Sequence, residues 1–284
     1  MVKRRHNKLF GIIGCPVEHS LSPYMHNAAF KSLKINAVYL PFSVKRNKLK
    51  EAILSLRKSG ISGFNVTIPF KSECIKYLDK IEPTARMIGA VNTVCVKGNK
   101  FIGYNTDYLG FIRSLKEDLN FKPKGRSVLV LGSGGAARAV SFGLAREGAG
   151  RIYLYDIVEK KARSLSLNIK RFFPKCSVMF CAKKDLNASM GSCQLLVNCT
   201  PLGMRRTDPM PINIRLMYDR LKIYDIIYTP LRTKLLKSAK EKGIKAVGGV
   251  GMLLYQGAIA FKLWTKKEPP IALMKKTLLD NLKC

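Results

Sequence analysis

The stretch Ser127-Val128-Leu129-Val130-Leu131-Gly132-Ser133-Gly134-Gly135-Ala136-Ala137 decides the fold. Ser127–Leu131 has buried-strand character, and Ala136–Arg146 carries helical periodicity. A strand, a Gly-x-Gly-x-x-Ala turn and a helix in that order turn a weak pattern into a dinucleotide-binding fingerprint. Gly132 permits the tight turn, Gly134 lets the backbone approach a pyrophosphate, and Ala137 allows close helix–strand packing. Ser133, Gly135 and Ala136 fill out the turn, where the free N–H groups of the helix start favour an anion. A glycine-rich turn that holds no ligand is the competing reading of the same residues.

Outward from this point, Arg151–Tyr155 reads as the next strand and ends at Asp156. An acid there is placed to bind adenosine ribose hydroxyls and to repel a 2′-phosphate, which favours NAD over NADP. The same residue suits the N-cap of a helix over Val158–Phe172. Lys160, Lys161 and Arg163 follow closely and soften the repulsion. Strands over Val178–Cys181, Leu195–Asn198, Ile223–Ile227 and Lys245–Val247, with a helix over Leu235–Lys242, predict a parallel sheet covered on both faces. The fold class is therefore α/β, with a Rossmann-type dinucleotide-binding domain over 108–251.

The first third of the chain alternates in the same way. Leu9–Gly14, Ala37–Phe42 and Gly63–Ile68 read as strands, and Val91–Val96 with Phe101–Gly103 as a hairpin. Helices are expected from Ser22-Pro23, with serine as cap, and over Leu49–Lys58 and Lys71–Asp79. The tail segments Met252–Trp264 and Ile271–Leu282 are helical and return to the first domain. Residues 1–107, completed by 252–284, thus form an N-terminal three-layer α/β domain that takes the substrate.

Bulk composition narrows the function classes. The chain has 284 residues, 47% of them hydrophobic, enough for two domains with sizeable cores. No apolar run has membrane-spanning length. Lys3-Arg4-Arg5 before Leu9–Cys15 imitates a signal peptide, but the apolar stretch is short and no small-residue cleavage site follows it. The eight cysteines form no Cys-x-x-Cys pair and the three histidines (His6, His19, His26) lie near the start, so reduced thiols, a cytoplasmic setting and no metal site are expected. Fifty-one Lys and Arg against 18 Asp and Glu give a net charge of +33, which attracts anions. The basic residues are dispersed, without a block or aromatic-interleaved stripe, so nucleic acid is not the expected partner. The alternative class remains a basic nucleic-acid-binding protein on a degenerate dehydrogenase fold.

Four polar stretches of the first domain fall where strands end, the usual place for ligands in α/β proteins. They are Ser20-Leu21-Ser22-Pro23, Asn65-Val66-Thr67-Ile68-Pro69-Phe70-Lys71, Gly89-Ala90-Val91-Asn92-Thr93 and Gly103-Tyr104-Asn105-Thr106-Asp107. With Asn198–Met204, Asp225–Pro230 and Gly249–Gln256, they are similar in order and spacing to the shikimate dehydrogenase family across essentially the whole chain.

That resemblance implies reversible reduction of 3-dehydroshikimate to shikimate by a nicotinamide cofactor, in aromatic amino-acid (chorismate) biosynthesis. It implies Lys71 as the acid/base with Asp107 beside it; a carboxylate near an ammonium keeps the lysine charged and oriented. It implies Ser20 and Ser22 as holders of the substrate carboxylate. Thr67, Asn92 and Gln256 fall at hydroxyl- and carboxylate-binding positions, with Tyr228 and Thr106 as further correspondences. Ile226, Gly249 and Met252 fall along the nicotinamide pocket. One departure stands out: NADP-using members commonly carry Asn-Arg-Ser/Thr after the second Rossmann strand, where this chain has Asp156-Ile157-Val158. That places the quinate/shikimate variant using NAD beside the NADP-using enzymes. A monomer or homodimer is expected.

Overall fold

The computed structural model describes residues 7–282, so Lys3-Arg4-Arg5, His6 and Cys284 lie outside the described residues. The elements of the first unit are β1 (Lys8–Gly14), α1 (Ser22–Ser32), β2 (Ala37–Ser43), α2 (Leu49–Lys58), β3 (Gly63–Val66), β4 (Lys80–Ile81), α3 (Pro83–Ile88), β5 (Thr93–Lys97) and β6 (Lys100–Tyr104). Then follow α4 (Asp107–Glu117), β7 (Ser127–Leu131), α5 (Gly135–Arg146), β8 (Arg151–Tyr155), α6 (Glu159–Phe172), β9 (Ser177–Phe180) and α7 (Leu186–Gly191). The chain ends with β10 (Leu195–Asn198), β11 (Lys222–Asp225), α8 (Lys234–Glu241), β12 (Ala246–Val247), α9 (Val250–Thr265) and α10 (Ile271–Asn281). It divides into two compact units, Met1–Thr106 with Leu254–Cys284, and Asp107–Leu253.

The first unit holds a mixed sheet in the order β2-β1-β3-β5-β6-β4. β1 pairs parallel with β2 and β3, whereas β5 runs antiparallel to β3 and β6. Alternation along the strands feeds two apolar layers. Ile13, Phe64, Val66, Val94 and Phe101 pack with Ile53 and Leu56 of α2. On Phe10, Phe30 and Tyr39, by contrast, lies an aromatic group completed by Phe261 and Trp264 of α9. Trp264 Nε1 donates to Val94 O at 3.0 Å. A Cβ on Gly63 would lie 2.5 Å from that indole nitrogen, so only glycine lets the ring lie on the strand.

Two local expectations are corrected. Lys71–Asp79 is not a helix: a single 3₁₀ turn, Glu73–Tyr77, seats Cys74 in the core. Leu78 then turns extended so that β4 can join β6, and the Asp79 carboxylate takes Phe101 N–H (2.6 Å) and Arg57 (2.8 Å). Nor does Ser22 cap α1. Leu21 is the cap residue, Ser22 is the first helical residue, and no side chain caps the helix. Ser20 Oγ instead accepts the Ser22 N–H at 3.3 Å.

The second unit holds a fully parallel sheet in the order β12-β11-β10-β7-β8-β9. Leu129, Leu196 and Ile223 face a core closed by Met190 of α7 and Leu235 of α8. Among the described residues no helix is long and apolar enough to cross a membrane, and no group of His, Cys, Asp and Glu is arranged to hold a metal.

His26 sits in the aromatic group of the first unit, 0% exposed and stacked on Tyr39 at 4.5 Å. Neither ring nitrogen has a hydrogen-bond partner, and burial pushes its pKa down to about 3. The native imidazole stays neutral while the unfolded one binds a proton below about pH 6.5. Its contribution to stability is therefore full above pH 6.5 and lost as pH falls towards 3, by at most about 1.4 kcal/mol per pH unit. The unfolding free energy of the wild type relative to His26→Phe, read from urea titrations, should rise between pH 4 and about 6.5 and level off above it.

Candidate functional site

The polar stretches of the first unit all reach one edge of its sheet. β1 and β3 run parallel and end together, Ile13 opposite Val66. β5 starts at that edge because it is antiparallel to β3, with Thr93 opposite Asn65, and β6 ends there with Tyr104 opposite Thr93. The Ser20–Pro23, Thr67–Lys71, Asn92–Thr93 and Asn105–Thr106 segments therefore emerge side by side. Lys71 is half-buried, and its carbonyl accepts Val91 N–H at 2.7 Å, tying the lysine loop to the Asn92 segment.

Asn92, 3% exposed, organises this edge. Its Oδ1 accepts the Thr106 N–H (2.7 Å) and the Thr93 hydroxyl (3.2 Å). Its Nδ2 donates to Thr106 Oγ1 (2.9 Å) and to Gln256 Oε1 of α9 (3.1 Å). Asn65 lies one step further in, donating to Asn92 O and Thr93 Oγ1 at 3.0 Å and accepting from the Tyr39 hydroxyl at 2.6 Å. Each unpaired buried amide would cost about 1–3 kcal/mol, so the network fixes its members tightly.

In the second unit β7, β8, β10, β11 and β12 are parallel and end at one edge, carrying Gly132, Asp156, Asn198, Ile226 and Gly249 there. β7 lies between β8 and β10, so the order reverses beside it, the point where parallel α/β sheets open a crevice. Gly132 has φ +96°, and a Cβ there would lie 3.0 Å from Cys199 O, so both conformation and space demand glycine. Gly134 is the cap residue of α5 with no side-chain cap, and the space around its Cβ position is open. Ser133 Oγ is buried without a hydrogen-bond partner. An orphaned hydroxyl and uncapped N–H groups around open space fit a phosphate-bearing cofactor.

Asp156 is not the N-cap of α6; Val158 is. The Asp156 Oδ1 accepts the Val158 N–H at 2.9 Å, forming a turn that leaves Ile157 87% exposed. Arg163 is drawn to Glu159 and lies 4.0 Å over the Phe180 ring. Asp107 begins α4 and is buried, Met252 is buried, and Tyr228 is half-buried with its phenol pKa raised by desolvation. A Cβ on Gly249 would strike Ile226 O.

Two family models match the chain: "Shikimate dehydrogenase substrate binding domain" over residues 12–94 and "Shikimate 5'-dehydrogenase C-terminal domain" over residues 249–279. The shikimate dehydrogenase (NADP(+)) of Methanopyrus kandleri is 43% identical over 276 residues, covering 96% of this chain and 95% of that one. The chain belongs to the shikimate dehydrogenase family. A crystal structure of a family member in complex with NADP+ superposes with TM-score 0.89 at 40% identity, covering 97% and 96% of the two chains. That of the Listeria monocytogenes enzyme in complex with shikimate and NAD gives TM-score 0.86 at 33% identity, covering 98% and 99%.

Within the family frame, three buried residues emerge to which sequence reasoning gave no role: Asn65, Asn198 and Asp225. Asp225 is 0% exposed and accepts from Asn198 Nδ2 (3.0 Å), Ile227 N (3.2 Å) and Thr233 Oγ1 (2.7 Å). Asn198 in turn takes Thr200 N–H (3.1 Å) and the Thr200 hydroxyl (2.7 Å), folding the loop whose Cys199 abuts Gly132. The sequence signal was a polar residue closing an otherwise apolar strand. Burial pushes the Asp225 carboxyl up to about 6. The native state thus keeps a proton that the unfolded state releases near pH 4, so stability falls as pH rises from about 4 to about 6. The unfolding free energy of wild type relative to Asp225→Asn should decline across that interval in urea titrations; a flat difference would contradict the assignment.

Proposed function

We propose that the chain is a nicotinamide-dependent shikimate dehydrogenase, reversibly reducing 3-dehydroshikimate to shikimate. The observation that carries this reading is the convergence of Ser20, Ser22, Thr67, Lys71, Asn92, Thr106 and Gln256 on one sheet edge, in a chain of this family. The first unit takes the substrate and the second the dinucleotide, with Gly132–Ala136 the residues that would hold its pyrophosphate. The bound cofactor supplies or accepts the hydride. As the ketone gains hydride its oxygen becomes an alkoxide, and Lys71 Nζ gives it a proton; in the reverse direction Lys71 takes that proton back. The resemblance pairs Asp107 with that lysine in the acid/base step and with a substrate hydroxyl as acceptor. Ser20 and Ser22 bind the substrate carboxylate as neutral donors. Asn92 and Gln256 serve its vicinal hydroxyls, since an amide can donate and accept at once. The family resemblance makes Tyr228 a further substrate-binding position, and Ile226, Gly249 and Met252 positions of the nicotinamide pocket.

The cofactor preference is for NAD, although the Methanopyrus relative carries NADP(+) in its name. The support is local: a carboxylate held in place by Val158 N–H, with an exposed isoleucine where NADP-using members carry arginine. A fixed carboxylate stabilises ribose hydroxyls and repels a 2′-phosphate.

Initial rates with shikimate and with quinate, each against NAD and NADP, test both statements. Shikimate oxidation should be fastest with NAD, and Lys71→Ala should lower kcat by about 10²–10⁴-fold. No turnover of shikimate with either cofactor would remove the activity, and full turnover by Lys71→Ala would remove the role of the lysine. Asp156→Asn combined with Ile157→Arg should shift the kcat/KM ratio towards NADP by about tenfold or more, the scale of one lost repulsion and one gained ion contact.

A further inference from the structure

At the opposite end of the second unit's sheet from the glycine turn, the strands begin in a row of cations. Lys245 precedes β12, Lys222 opens β11, Gln194 precedes β10 and Arg126 precedes β7, on strands adjacent in that order. Neighbouring strands lie about 4.8 Å apart, so three positive charges stand within about 15 Å. Lys122 and Arg220 join them from the flanking loops, and a cleft of about 620 Å³ opens among Lys122, Arg126, Arg220 and Lys222. Gln194 and Tyr218 line the same cleft.

In a chain of net charge +33 basic neighbours are common, so charge alone does not mark a site. Three features set this cleft apart. It is concave and lined by no carboxylate; Asp219, next to Arg220 in sequence, is exposed outside the lining, and Asp118 accepts from the Ser114 hydroxyl. None of its four lining cations, nor Lys245 beside them, makes an ion pair among the described residues. Lys222 is half-buried and anchored, its ammonium donating to Asn120 O (2.7 Å) and Leu119 O (3.2 Å), which leaves one N–H for a ligand. Burial, then the nearby Lys245 and Arg126, lower its pKa, the sign of a crowded positive field.

We propose that this cleft binds a small, multiply charged phosphate-bearing anion, at a site separate from the dinucleotide turn. An anion there relieves the mutual repulsion of Arg126, Lys222 and Lys245 and takes bidentate hydrogen bonds from two guanidinium groups. The cleft suits a molecule of nucleotide size. A nucleic-acid backbone would need a continuous basic groove instead.

Inorganic tripolyphosphate is the probe, titrated calorimetrically into the full chain at 0.15 M salt with the dinucleotide turn saturated by NAD, then by NADP. The expected result is one binding event per chain, weakened about tenfold in Lys122→Gln/Arg126→Gln/Arg220→Gln. A control triple variant at exposed positions of the first unit, Lys31→Gln/Lys50→Gln/Lys58→Gln, should bind within about twofold of wild type. If the cleft triple variant melts early, the exposed Arg220→Glu alone supplies the same comparison. No binding with the dinucleotide turn filled, or equal loss in the control, would overturn the proposal. So would a duplex DNA fragment that displaces the probe equally well from both triple variants, since that is diffuse surface attraction.

Discussion

The side-chain amide of Asn92 ties its own strand start to the far end of the β5–β6 hairpin and to the distant helix α9. It needs the backbone of Thr106 at the end of the β6 segment, the hydroxyl of Thr93 beside it, and the carbonyl of Gln256 on α9. A buried amide left without these partners would be expensive, so the network selects one arrangement of strands and one placement of α9. The aromatic packing of Trp264 over Gly63 supplies area for that placement, and the amide supplies its register. In this way the residues that shape the sheet edge also define the polar surface offered there.

Much of this was legible in the sequence. The strand–turn–helix at Ser127–Arg146 emerged as expected except that the helix starts at Gly135 and not Ala136, because glycine, alanine periodicity and apolar strand agree locally. The polar clusters at strand ends were visible for the same reason: they interrupt apolar runs. What stayed hidden depends on contacts between remote segments. The Tyr39–Asn65 bond requires the register of β2 and β3 on β1. The Glu73–Tyr77 turn looked like a longer helix because its apolar spacing serves a core beneath it, while Asp79 answers to Phe101 and Arg57. Asp225 was visible as a residue but not as a hub, since its donors come from Asn198 and Thr233, on either side of it.

The parallel sheet of the second unit has two chemically different ends. At the strand C-termini the backbone turns sharply at Gly132, and neutral donors surround open space. At the N-termini side chains dominate, and they are cationic. Parallel strands make this polarity unavoidable, because every strand starts on one edge and finishes on the other. Part of the chain's large positive charge thus stands at the N-terminal end of the strands, in a cleft that no carboxylate lines.

The chain's route through its two units also bears on its birth at the ribosome. The second unit is one continuous run, Asp107–Leu253, and all its strands exist once that run has been made. The first unit is split: its sheet is synthesised first, yet Trp264, Phe261 and Gln256, which cover and pin that sheet, come last. During elongation the early strands must wait with Phe10, Phe30 and Tyr39 uncovered, while the later-made unit is free to close before them. Order of synthesis and order of completion are thus reversed for the two units.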